Sequence, residues 1–144
     1  MIIDNKSKSL SYRLHNGLHL ISLKLLKNLE KKKLKNTSIF RLCLNSTAKN
    51  KFHQMIIFQK NTYIPTIKKE LKKDKSFILL KGRKKIRIYN KNRKIIKSIY
   101  LDKSNFICWI PKNTFYDNLS LSKRTIHIES LAGPFSGNKN RVFL

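Results

Sequence analysis

Apolar positions change their spacing along this chain, and the changes divide it. Residues 1 to 16 are mostly polar and read as a loosely held arm. From Leu18 the side chains Leu18, Ile21, Leu25, Leu26 and Leu29 recur at the spacing of one face of an amphipathic helix. That helix is predicted to run to about Lys33, where a lysine-rich last turn suits the negative end of the helix dipole. Asn36-Thr37-Ser38 breaks the pattern.

After that break the chain becomes a series of short strands separated by turn signals. The predicted strands are Phe40 to Leu44, His53 to Gln59, Thr62 to Ile67, Phe77 to Leu80, Lys84 to Tyr89, Ile95 to Leu101, Phe106 to Ile110 and Thr125 to Leu131. Lys84 to Tyr89 alternates most cleanly, with Ile86 and Ile88 on one face and Lys85, Arg87 and Tyr89 on the other. Asn90-Lys91-Asn92 is a turn that pairs it with Ile95 to Leu101 as a hairpin. Pro65 marks a sheet edge or a bend. Many short antiparallel strands at this spacing mean an all-β sandwich or barrel. The expected division is an arm and helix over residues 1–36 and a β-domain over 37–144.

Composition adds limits. A chain of 144 residues, 40% of them hydrophobic, suits one domain able to bury a core. No apolar run approaches the roughly 20 residues that span a bilayer, and Met1-Ile2-Ile3-Asp4 lacks a secretory signal pattern. A soluble, cytoplasmic protein is the expectation. Cys43 and Cys108 belong to no metal-binding or redox spacing and read as two buried free thiols.

Charge changes the picture more. With 33 Lys+Arg against 7 Asp+Glu the net charge is +26, a field that attracts any polyanion. The lysines are spread from Lys6 to Lys139, however, and abundant Lys, Asn and Ile together also follow from an AT-rich coding sequence. Tyr89 and Tyr100 flank a basic hairpin containing Arg83, Lys84, Lys85, Arg87 and Arg93, an arrangement suited to single-stranded nucleic acid or to an edge that resists aggregation. His127 and Glu129 share one strand face, and Trp109 reads as a packing residue. No phosphate loop, Ser/His/Asp spacing or Cys/His nucleophile pattern is present.

Three stretches carry a family resemblance: Asn61-Thr-Tyr63-Ile-Pro65-Thr-Ile67-Lys-Lys69, Lys75 to Gly82, and Trp109-Ile-Pro111-Lys-Asn-Thr-Phe115-Tyr116. Their layout resembles the two cupin motifs. With Phe40 to Leu44, His53 to Phe58, Asn105 to Pro111 and the tail Glu129-Ser-Leu-Ala-Gly133-Pro134-Phe135, the chain resembles the WbuC-type cupin proteins over about residues 18 to 143. The resemblance implies a cupin-like jelly-roll β-barrel with a short N-terminal helix. It also implies a role beside lipopolysaccharide O-antigen or capsule biosynthesis, a sugar-nucleotide ligand and a homodimer.

In that family two His, a Glu and a further His hold a divalent metal. Laid on this chain, those positions fall at Ile67, Lys69, Lys75 and Tyr116, so no metal and no other cofactor is expected. Strand parity should turn Lys69, Lys75 and Tyr116 toward the barrel mouth, with Tyr63, Pro65 and Ile67 sharing the parity of Lys69. Tyr63, His127 and Glu129 are candidates to line the same pocket. Two ammonium groups and a phenol could hold a phosphate. The preferred sequence reading is instead a decayed site whose lysines reach out to solvent. On that reading Lys75→Met shifts stability by less than roughly 1 kcal/mol. The functional alternatives are a basic polyanion- or nucleic-acid-binding protein, and a metal-independent sugar-modifying enzyme with Tyr116 and Lys75 as its acid/base pair.

Overall fold

The structure is a computed structural model that describes residues 2, 3, 10–135 and 139–144. The arm expected over residues 1–16 therefore lies partly outside the described residues. Two sheets face each other. One has the strand order β1 (Ile2–Ile3), β2 (Ser11–Arg13), β3 (Ile39–Cys43), β4 (Phe52–Lys60), β11 (Arg124–Ala132), β6 (Lys75–Lys81), β9 (Ile107–Ile110). The other runs β12 (Arg141–Phe143), β5 (Lys68–Glu70), β10 (Phe115–Ser120), β7 (Lys84–Tyr89), β8 (Ile95–Leu101). Every pairing is antiparallel except β2 with β3, which is parallel. The architecture is all-β with a single helix, α1 (Leu23–Lys33), among the described residues.

Residue alternation sorts two apolar clusters onto opposite faces of the larger sheet. Phe40, Leu42, Ile56, Phe58 and Ile126 point outward and are covered by Leu26 and Leu29 of α1, by Leu34 and by Tyr12 and Leu14. Phe40 and Phe58 stack there with ring centroids 4.2 Å apart. Lys81 Nζ donates to Glu30 Oε2 at 2.6 Å and ties the helix to the end of β6. Inside, Phe77, Leu79, Ile86, Leu101, Cys108 and Ile110 fill one end of the barrel. Both thiols are buried and form no disulfide.

Several boundaries differ from the sequence reading, each for a local reason. The helix begins at Leu23 rather than Leu18, because Ser22 caps it by accepting from the Leu25 amide at 3.2 Å. Leu18, the first apolar position of the predicted face, is fully exposed, whereas Ile21 and the positions after it pack against the sheet. Ser11–Arg13 is not a loose arm but a strand that pairs with Arg41–Cys43. Thr62–Ile67 is not a strand: its backbone is irregular, and the strand that follows starts at Lys68. Trp109 is not a packing residue, since it lies exposed on the outer side of the edge strand β9. The tail is held by backbone hydrogen bonds and a close approach. The Gly133 and Phe135 amides donate to Lys51 and Ala48 carbonyls, and a Cβ at Gly133 would overlap the Asn50 carbonyl oxygen.

Candidate functional site

The interior of the other barrel end is polar. On β11, Thr125, His127 and Glu129 share the inward face, and the opposed β4 residues Gln59 and Ile57 continue it. Arg41 of β3, paired with Ile57, joins them. From the smaller sheet, Lys68 and Tyr116 stand directly opposite each other across β5 and β10 and point the same way. With Tyr63, Pro65 and Thr66 of the irregular segment these side chains enclose a cavity of about 20 Å³ for the centre of a water, room for roughly one molecule.

The resemblance places the pocket at Ile67, Lys69, Lys75 and Tyr116, and the structure moves half of that set. Tyr116 lines the cavity. Ile67 and Lys69 do not; Lys69 instead lies over the Phe115 ring, 4.7 Å from its centroid. The inward residues of β5 are Lys68 and Glu70, one position away from the expected pair. Counting along the strand from Asn61 fails because residues 61–67 have no strand parity to count with. Tyr63, His127 and Glu129 are all in the lining, and Lys75 sits behind it.

Lys75 does not reach solvent. Its side chain is 1% exposed, and Nζ lies 2.6 Å from Glu129 Oε1 and 3.4 Å from Glu70 Oε1. Arg141 adds a second cation to Glu70, 2.5 Å away. Burial alone would lower the Lys75 pKa, but Glu129, Tyr116 and Glu70 outweigh it and raise the value, holding the ammonium charged. Burial likewise works against an ionised Glu129, yet Lys75 and Lys68 depress its pKa. The centre of the site is thus a buried carboxylate–ammonium–carboxylate cluster.

Around it stand groups with less company. Burial pushes the Tyr116 hydroxyl up to about 12 despite the nearby Lys75, and that hydroxyl makes no hydrogen bond of acceptable geometry. Tyr116 and Lys75 therefore both stay protonated at neutral pH, and neither can serve there as the base of an acid/base pair. His127 is fully buried with neither ring nitrogen bonded; burial, then Lys84, holds its pKa well below the ordinary imidazole range. Burial and the Lys75 charge lower Lys68 to about 7. Lys84, also fully buried, donates to Gln59 Oε1 at 2.7 Å, and burial lowers its pKa to about 7.

Solved structures share this two-sheet fold. The fold is cupin-like. CapF, a capsular polysaccharide assembling protein from Staphylococcus aureus, superposes with a TM-score of 0.62 at 16% identity over 76% of this chain and 32% of that one. KdgF from Halomonas sp. gives 0.54 at 12% identity over 66% and 78%. The oxalate decarboxylase of Lactobacillus farciminis gives 0.51 at 8% identity over 66% and 27%. This chain thus spans about a third of CapF. No protein-family model and no curated protein matches the sequence.

The metal that cupin motifs hold has no fitting donor set here. Among the described residues no three His, Cys, Asp or Glu side chains converge. The two inward carboxylates already share the Lys75 ammonium, and a dication would face that charge and Lys68 at close range. Sequence reasoning missed Lys68, Glu70, Arg141 and Gln59. The signal that could have found Glu70 is charge balance, since Lys75 on an inward strand position demands a carboxylate.

The basic hairpin is less available than its sequence suggests. Lys84 is inside, Tyr89 donates to Asp117 Oδ2 at 2.9 Å, and Arg87 Nε donates to Asp117 Oδ1 at 2.9 Å. Tyr100 is exposed beneath Lys85, whose Nζ is 5.3 Å from the ring centroid. No helix among the described residues is long and apolar enough to cross a membrane.

Proposed function

We propose that this chain is a cupin-fold accessory of surface-polysaccharide assembly that works without a metal and binds an anionic sugar derivative, such as a sugar nucleotide. The observation that carries it is the cationic wall of the pocket. Arg41 and Lys68 line it, while the negative charge of Glu129 is already met by Lys75. An anion entering there meets the Arg41 guanidinium and stabilises the protonated form of Lys68, whose amine otherwise sits at about 7. The cavity admits a group the size of a water or one ligand oxygen, so the body of a sugar nucleotide would lie across the mouth at Tyr63 to Thr66. The similarity to CapF and the WbuC-type sequence features supply the pathway part of the reading.

A thermal-shift series with sugar nucleotides and with inorganic diphosphate tests it, because ligand binding adds RT ln(1 + [L]/Kd) to stability, about 2.7 kcal/mol at a hundredfold excess over Kd. A shift lost in the Arg41→Gln/Lys68→Met double variant supports the reading; no shift with any of these ligands at millimolar concentration sinks it. Metal analysis of dialysed protein should find well under one Fe, Mn, Ni or Zn per chain. A second reading, a general polyanion binder, draws on the net charge of +26. It predicts that DNA and heparin bind alike with a steep loss as salt rises.

A further inference from the structure

We propose that Lys68 is a carbonyl-reactive amine: its Nζ forms an imine with a small aldehyde or ketone whose anionic group is held by Arg41. The inference rests on the pocket being the ligand site and names the chemistry of what enters it. Three observations converge. Lys68 is inward on β5, directly across from Tyr116, at the wall of a cavity sized for one small group. Two fully buried side chains at that cavity, His127 and Tyr116, have polar atoms without partners, which a carbonyl oxygen or a departing water would satisfy. The third is the company Lys68 keeps. Lys75 is held charged behind it by Glu129 and Glu70, and a second cation beside a desolvated lysine is the arrangement that leaves an amine neutral and nucleophilic. Burial and that neighbouring charge bring Lys68 down to about 7, whereas an unperturbed lysine sits at 10.5.

The step balances without redox chemistry. The Nζ lone pair attacks the carbonyl carbon, and the C=O bond opens to a carbinolamine. The oxygen then leaves as water carrying the two amine hydrogens, giving C=N–Lys68. The Tyr116 hydroxyl, still protonated at neutral pH, is the neighbouring donor to the departing oxygen. Arg41, on the same wall, supplies the charge that selects an anionic carbonyl compound over a neutral one.

Glyoxylate, a two-carbon anionic aldehyde, and acetaldehyde, its neutral counterpart, are the probes. Each is offered to the full chain at limiting concentration and pH 7 with cyanoborohydride, and the modified lysines are located by peptide mass. Glyoxylate should label Lys68 at least about tenfold more than the average surface lysine, since an ordinary lysine amine is almost wholly protonated at pH 7. Arg41→Gln should remove the preference for glyoxylate over acetaldehyde while leaving Lys68 the most labelled site. Lys68→Arg removes the nucleophilic amine while keeping a long basic side chain and should leave only the diffuse background. Label spread evenly over the lysines, or absent from Lys68, overturns the proposal. That failure would be separable from failure of the pocket reading, because sugar-nucleotide thermal shifts do not require a reactive amine.

Discussion

Replacing Lys75 by Met removes the one ammonium shared by two buried carboxylates and keeps most of the stem volume. Lys75 is 1% exposed and Glu129 9%, at 2.6 Å, with Glu70 at 7% and 3.4 Å on the other side. Arg141 still answers Glu70 in the variant, whereas Glu129 loses its direct ion-pair partner and keeps only the more distant influence of Lys68. Breaking a buried pair from one side typically costs about 3–5 kcal/mol. At roughly 3 °C per kcal/mol for a chain of this size, Tm should fall by about 10–15 °C. The pH dependence distinguishes this mechanism from lost packing. The folded pKa of Glu129 is depressed, so its contribution is present above its unfolded value and lost as pH falls through the folded one. Lys75 is raised, so its contribution holds below 10.5 and fades only as pH rises through the folded value. The deficit of Lys75→Met should therefore be full from about pH 5 to pH 10 and shrink in acid, as Glu129 takes up a proton. Adding Glu129→Gln should restore part of the loss. Urea denaturation of wild type and both variants at pH 4 and pH 7 reads all of this. A Lys75→Met variant within about 1 kcal/mol of wild type at pH 7 would refute the buried-pair argument and return the decayed-site reading.

Lys84 is lowered to about 7 in the fold against 10.5 when exposed, so the unfolded chain binds more protons between those values and stability should rise with pH. Unfolding free energies from urea titration should climb by about 2–3 kcal/mol from pH 7 to pH 9 for each such lysine, and Lys84→Met should remove its share of the rise and leave that of Lys68, which is lowered to the same value. Gly82→Ala should cost about 1–3 kcal/mol by thermal denaturation, because φ is +87° and a Cβ would stand 2.8 Å from the Arg124 carbonyl oxygen. Ser22→Ala should cost about 1 kcal/mol by removing the cap of α1, seen as a lower Tm with the barrel's near-ultraviolet signal intact.

How much of this was legible follows from what faces inward at each place. The β7–β8 hairpin alternates because Ile86, Ile88, Ile99 and Leu101 meet an apolar interior, so its period of two is plain in the sequence. Phe115–Ser120 is also a strand, but its inward positions Tyr116, Asn118 and Ser120 face the polar end of the barrel. A hydrophobic pattern cannot mark a strand whose buried face is polar. Lys68–Glu70 and Arg141–Phe143 were invisible because each is three residues long, too short for a period to show, and they pair mainly with one another. The cupin-like fold was readable from motif order. The site was readable at Tyr116, on a strand of fixed parity, and misread by one residue at Lys69, after an irregular segment. Nor could composition tell a solvated lysine from Lys75 or Lys84, because burial depends on a partner supplied by a distant strand.

Trp109 has a practical consequence for anyone following this protein by light. It is the only tryptophan of the chain and lies 63% exposed on an edge strand, with Ile107 beside it on the same outer face. Its indole is already in water when the protein is native, so its emission maximum has little distance left to travel on denaturation. Intrinsic fluorescence would then under-report loss of the core and respond instead to anything that settles on that edge. A blue shift on mixing would be a signal of contact with β9, and the five tyrosines, three of them buried, are the better witnesses of the fold itself.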